Sequence, residues 1–495
     1  MNDPNGMVYY GGEYHLFYQH NPFGDKWGHM SWGHAVSRDL VHWWHLPVAL
    51  SEQGDVRIYS GSAVVDYANT SGFGGDGQPA MIAIYTGHRD ESKRAKRVED
   101  QRLAYSTDRG RTWTHYSGNP VLDIGALDFR DPKVFWHEPT SRWIMTVVLP
   151  DEKKMRLYAS ANLKAWTQLS EFGPAGAWRG PIIWDCPDLF PLEVEDEPKA
   201  TKWVLIVNIN PGGPAGGSGT QYFIGDFDGT RFIPDGQHLR DDGLWLDHGS
   251  DFYAAVTWSN IPESDGRRIL LGWMSNWAYT LDVPTSPWRS AMTIPRSLTL
   301  RRTSDGLRLA QDPVHELKTL REEPALIFPG ASFVDADNWL YRQRNLRDLL
   351  DVEMTFSEVS PEAPFAIKIH AGAGEVTAIA IDPQRGNLAV DRTHSGLVDF
   401  HPGFAASARH EAPLEIAHGQ LAIRFLLDTS SLEVFAQDGR TALTELIFPT
   451  AGGRSLSLSS EGGDALSVPK VDRISIYELK SAVLKQTNLP GTPCP

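Results

Sequence analysis

A chain of 495 residues, 22% of them charged and with a formal net charge of -16, has the length for two domains and a large core. It lacks the clustered positive charge that a nucleic-acid partner requires. Its two cysteines, Cys186 and Cys494, exclude a disulfide framework, and no apolar run reaches the length of a membrane span.

The 45 Gly and 33 Pro divide the chain into short apolar segments, which predicts an all-β fold with many turns. In chain order, strands are expected at Met7–Tyr10, His15–Gln19, Met81–Thr86, Trp143–Val148, Trp203–Asn208 and Ile269–Trp273, with no useful helical pattern between them. A repeat runs through this part. Ala35–Trp43, Ala104–Trp113 and Tyr158–Trp166 each read as a strand ending in Ser, a polar turn and a strand opening on Trp. A recurring hairpin of this kind marks the blades of a propeller, although hairpins of a sandwich would share the pattern. The mixed charges of Arg89–Arg102 read as a solvated loop.

A propeller domain is expected over 1–305, a charged junction over 306–326, and a β-sandwich over 327–480. The sandwich strands are expected at Ala366–His370, Val376–Ile381, Leu421–Leu427, Leu432–Phe435 and Arg473–Glu478, followed by an unstructured tail over 481–495. The single sequon, Asn69-Thr70-Ser71, is a chance match at this length. The 17 Trp suit sugar faces, but Trp is also a good core residue and the core reading carries the greater weight.

Three carboxylates sit beside Pro or Arg in strand-and-turn settings: Asp3 in Met1-Asn2-Asp3-Pro4-Asn5-Gly6, Asp131 in Phe129-Arg130-Asp131-Pro132, and Asp185 in Trp184-Asp185-Cys186-Pro187. Each alone reads as a turn former. Together they are the inventory of glycoside hydrolysis: one carboxylate to attack or stabilise the sugar cation, one kept protonated for the leaving oxygen, and one to grip hydroxyls. Cys186 has no His at a spacing that suggests thiol catalysis, and His15, His20, His29, His34, His42 and His45 have no metal-ligand spacing.

These motifs resemble glycoside hydrolase family 32, the family of invertases, inulinases and levanases. The likeness extends to Gln19-His20-Asn21-Pro22, Trp27-Gly28, Tyr59-Ser60-Gly61-Ser62, Trp273–Trp277, Pro284–Arg289, Leu432–Phe435 and Thr444–Pro449, in order along nearly the whole chain. The resemblance implies a five-bladed β-propeller followed by a β-sandwich. It implies a retaining β-fructofuranosidase that releases terminal β-linked fructose from sucrose, inulin or levan, with Asp3 as nucleophile, Asp131 as transition-state stabiliser and Asp185 as acid/base. Asn2, Gln19, Trp27, Ser60, Arg130 and Trp288 would contact the sugar. No metal or organic cofactor, nucleic acid or membrane is implied, and the family suggests export from the cell.

Two departures stand out. The family has Glu where this chain has Asp185, about 1.5 Å shorter in reach, and the family has residues before the Met that is Met1 here, so further N-terminal residues are expected. The shared intermediate leaves a fructosyltransferase open, and Asp185 leaves open a sugar-binding homologue with impaired catalysis.

Overall fold

The structure, a computed structural model, describes residues 1–482 apart from 76, 90–97, 198–199, 237–238, 240–241, 373 and 461–467. Five antiparallel sheets follow one another along the chain, each pairing in sequence order from an inner to an outer strand. Their inner strands are Pro4–Tyr10, Val56–Asp66, Arg130–His137, Ile183–Glu193 and Tyr253–Thr257. The ring closes where Val8 bridges Ser259 in parallel, joining the fifth sheet to the first. This is the five-bladed propeller, and apolar side chains such as Ile144, Leu157, Leu205 and Phe223 fill the space between blades three and four.

The repeated hairpin has a physical basis. In blades one to three, the Ser at the end of the third strand gives its hydroxyl to Asp39, Asp108 or Asn162 in the turn. The turn then passes through a left-handed residue, Leu40, Gly110 or Leu163, with φ of 63°, 78° and 64°. The Trp that opens the outermost strand donates its indole N–H to that residue's carbonyl at 3.0–3.1 Å. One side chain thus satisfies a strained turn and covers the blade's edge.

The second domain packs a six-stranded sheet on a five-stranded one. Between them lie Val352, Met354, Phe356, Ile367, Ile369, Phe425 and Ile474, all at most 2% exposed. Every strand expected in either domain falls within an observed one.

Two expectations are corrected, and one helix is added to the expected elements. Gly306–Pro313, assigned to the junction, is the outermost strand of blade five; Leu307 and Leu309 alternate inward beneath its charged face. The junction is correspondingly shorter, and it also carries a short helical turn, His315–Leu320. A helix, Phe333–Arg342, stands within the sandwich domain, started by Ser332, whose hydroxyl accepts from the Asp335 amide. Finally, Arg89–Arg102 is not a solvated loop throughout: Val98–Ser106 is a strand, and Glu99 and Asp100 are fully buried. Residues 90–97 of that stretch, and the tail from 483 on, lie outside the described residues.

Candidate active site

All five inner strands share one irregularity. Opposite two residues of its neighbour, each carries three, with breaks in register at Asn5/Val8, Ile58/Gly61, Arg130/Lys133, Asp185/Asp188 and Tyr253/Val256. These are β-bulges near the start of each strand, and a bulge re-aims side chains. In four of the five a residue takes a left-handed conformation: Gly6 (φ 50°), Asp131 (64°), Cys186 (44°) and Ala254 (52°). For the three that are not glycine this is strained backbone, which persists only where the surroundings impose it.

The bulges gather the three sequence motifs at one end of the axis. A cavity of about 360 Å³ opens there, lined by Asn2, Asp3, Gln19, Trp27, Ser60, Arg130, Asp131 and Asp185. Eight of the nine residues singled out from sequence therefore meet in one place. Trp288 does not: it is 66% exposed and outside this lining.

Asp3 receives the Ser60 hydroxyl on Oδ2 at 2.6 Å and the Asn2 amide on Oδ1 at 3.1 Å. Its backbone is fixed by the Gln19 N–H, which donates to the Asp3 carbonyl at 3.0 Å. Burial raises its pKa; the bonds from Ser60 and Asn2 pull it back, and the charge of Asp185 pushes it up again. Asp131 Oδ2 accepts the Cys186 N–H at 2.9 Å. The Cys186 thiol lies 3.5 Å from that oxygen and 3.7 Å from Asp3 Oδ2, so the two carboxylates face each other across one sulfur.

Both oxygens of Asp185 are held. Arg130 Nε donates to Oδ1 at 2.9 Å, and the Tyr253 hydroxyl donates to Oδ2 at 2.6 Å. The same Arg130 Nε is 3.9 Å from Asp131 Oδ2, so one guanidinium serves both acids. Burial works against its charge, yet Asp185, Glu99, Asp131 and Asp128 hold it well above the ordinary arginine value. Burial, then Asp185, push the Asp131 carboxyl up to about 8, with Arg130 opposing.

Several of these groups carry no local signal in sequence. Tyr253 and Asn210 line the cavity, and Glu99 and Thr86 support it from blade two; Tyr59 and Trp277, also in the lining, belong to quoted segments, Tyr59 to Tyr59-Ser60-Gly61-Ser62. Glu99 accepts the Phe129 N–H at 2.8 Å and lies 3.5 Å from Arg130. Thr86 accepts the Asp131 N–H at 3.0 Å. Trp277 was visible only as part of the Trp273–Trp277 run. The front histidines take structural partners: His15 with His34, His29 with Glu52, His42 with Asp39 and His45 with Tyr18. Among the described residues no group of three His, Cys, Asp or Glu is arranged to hold a metal ion.

Two family models and several known proteins match the chain. Residues 1–313 match the model of the glycosyl hydrolases family 32 N-terminal domain, and residues 333–478 that of the family 32 C-terminal domain. The chain is 46% identical to a levanase of Bacillus subtilis over 97% of its own length and 68% of the relative's. It is 39% identical to an extracellular exo-inulinase of Aspergillus awamori, over 97% of this chain and 92% of the relative. The fructofuranosidase of Schwanniomyces occidentalis, solved with fructose, superposes with a TM-score of 0.85 at 31% identity, covering 97% of this chain and 96% of that one.

Proposed function

Since the chain belongs to glycosyl hydrolase family 32 and is a glycoside hydrolase, we propose that it is a retaining, exo-acting β-fructofuranosidase that removes terminal fructose from sucrose or from fructans. The observation that carries this reading is the convergence of Asp3, Asp131 and Asp185 in one cavity walled by Trp27 and Trp277, with Arg130 set between Asp131 and Asp185.

Asp3, kept ionisable by Ser60 and Asn2, attacks the anomeric carbon of the fructosyl unit. The bond to the leaving oxygen breaks as Asp185 passes that oxygen a proton. Asp185 then takes a proton from water, whose oxygen displaces Asp3 and releases fructose with its configuration retained. Asp131 and Arg130 grip the fructose hydroxyls as positive charge develops on the ring. The burial of Asp131 and Asp185 strengthens these interactions. Fructan polymers are too large to enter a cell, so the enzyme acts outside it; the A. awamori relative is extracellular.

Incubation with sucrose, inulin and levan separately, with products resolved by chromatography, tests the reading. Free fructose as the main product is expected, and its relative yields name the preferred substrate. Longer or cyclic fructose products would replace hydrolysis with transfer. No product from any of the three would replace it with sugar binding alone.

A further inference from the structure

The bond between Asp185 and Tyr253 crosses from blade four to blade five, so it holds only while the two inner strands keep their relative height. Among the described residues no backbone hydrogen bond joins Ile183–Glu193 to Tyr253–Thr257. Side chains join them instead. Beyond the bulges, Asp188 Oδ2 accepts the Thr257 N–H and hydroxyl at 2.7 and 2.8 Å. That tie lies past the bulges and leaves the aim of Asp185 and Tyr253 to whatever holds the bulges themselves.

The register breaks take Cys186, Pro187, Ala254 and Ala255 out of the ladder, so their backbone groups must find partners elsewhere. Asn208, fully buried on the second strand of blade four and opposite Asp185 in register, supplies most of them. Its Nδ2 donates to the Cys186 carbonyl at 3.0 Å and reaches the Ala255 carbonyl at 3.5 Å. Its Oδ1 accepts the Ala255 N–H at 3.1 Å. The Thr220 hydroxyl donates to the same oxygen at 2.6 Å, which fixes the orientation of the amide. One side chain thus clamps two bulges at once.

The clamp sits where strain is stored. Cys186 and Ala254 are left-handed, and such backbone persists only where its neighbours over-determine it. Cys186 directly follows Asp185, and Ala254 directly follows Tyr253, so the backbone that Asn208 holds is the backbone that aims the acid and its tyrosine. Asn208 itself is fully buried and outside the cavity lining, so it cannot touch sugar. We propose that Asn208 is a positioning residue: by tying the bulge of blade four to that of blade five, it sets the contact of Asp185 with Tyr253 and thereby the delivery of the proton to the leaving oxygen. The acid role of Asp185 rests on the proposed activity; its positioning by Asn208 does not.

Asn208→Ala, Asn208→Leu and, as reference, Asp185→Asn are compared with the parent for kcat/KM on sucrose and on p-nitrophenyl β-fructofuranoside. This ratio reports the steps up to cleavage of the glycosidic bond, and nitrophenolate leaves without needing a proton. Both Asn208 variants should lose about tenfold to a hundredfold on sucrose, at least about fivefold more than on the aryl fructoside, with the same selectivity as Asp185→Asn. Equal losses on the two substrates, as a merely structural fault would give, or no loss on sucrose, overturn the proposal. Thr220→Val, which removes only the hydroxyl that orients the amide, carries the same test if the Asn208 variants do not fold, with a severalfold loss on sucrose expected. A crystal structure of the folded variant reads the positioning without turnover: the Asp185–Tyr253 bond should lengthen beyond hydrogen-bond reach, and a bond retained in place overturns the proposal. If Asp185→Asn lowers both substrates alike, the acid role fails; if the parent cleaves neither, the proposed activity fails. In either case the crystal structure decides whether Asn208 positions Asp185.

Discussion

Ser60 and Asn2 each spend a hydrogen bond on Asp3, and those bonds oppose the burial that raises its pKa. The nucleophile works ionised, so removing a donor must raise its pKa further and cost activity first at low pH. In Ser60→Ala the acid limb of the kcat/KM–pH profile should therefore move up by about one unit, with about tenfold lower kcat/KM on that limb. Asp185 poses the opposite question. Both of its oxygens are engaged, by Arg130 and Tyr253, and its side chain is about 1.5 Å shorter than a glutamate. Asp185→Glu should raise kcat on sucrose by about tenfold or more, because misplacement of about 1 Å can cost a hundredfold; an unchanged or lower kcat would refute the reach argument. The three acids were legible in sequence because each lies in a compact motif. Tyr253 was not, since it meets Asp185 from 68 residues away with no motif around it. Glu99 was hidden for a different reason: its charged neighbours mimic a solvated loop, while Arg130 and His88 make its burial tolerable.

At the scale of the element, the inner strand with its bulge is the unit that builds the site. Gly6 shows how little room the device leaves. A Cβ there would stand 2.7 Å from Phe17 Cδ2 and 2.8 Å from Trp32 Cζ3, on a backbone with φ of 50°. Gly6→Ala should displace the strand that follows Asp3, lowering stability by about 1–3 kcal/mol and kcat/KM more than tenfold; urea unfolding and sucrose kinetics on one preparation measure both. The strands themselves were legible from alternation and turn residues. The bulges were not, because an extra residue in a strand leaves the local pattern almost unchanged. The helix Phe333–Arg342 escaped for want of length, at under three turns. The outermost strand of blade five was masked by charges on its solvent face, although Leu307 and Leu309 mark its inner one.

On the scale of the whole molecule, propeller and sandwich are joined through buried ions. Arg296, fully buried, donates to Asp247 and Gln311 of the propeller at 2.9 and 2.7 Å, and to Glu433 and Thr444 of the sandwich, both at 2.6 Å. Arg392 reaches back from the sandwich to Asp251 at 2.7 Å. Removing one partner of such a pair leaves the others charged and dry, so Arg296→Met should lose about 3–5 kcal/mol in urea unfolding. Burial already raises the Glu433 pKa, with Arg296 opposing; without Arg296 it rises further. A raised carboxyl favours the fold below its unfolded pKa and loses that advantage as pH climbs, so the variant's deficit should be larger at pH 8 than at pH 5. Wild-type protein should unfold in one transition, because neither domain can shed the other without exposing these ions. The five bulges carry this cohesion into the active site. Its acids ride on hydrogen-bonded sheet, not on a lid that could melt early. Heat inactivation and loss of tertiary structure should accordingly trace a single curve, with no range of temperature in which the enzyme is folded but idle.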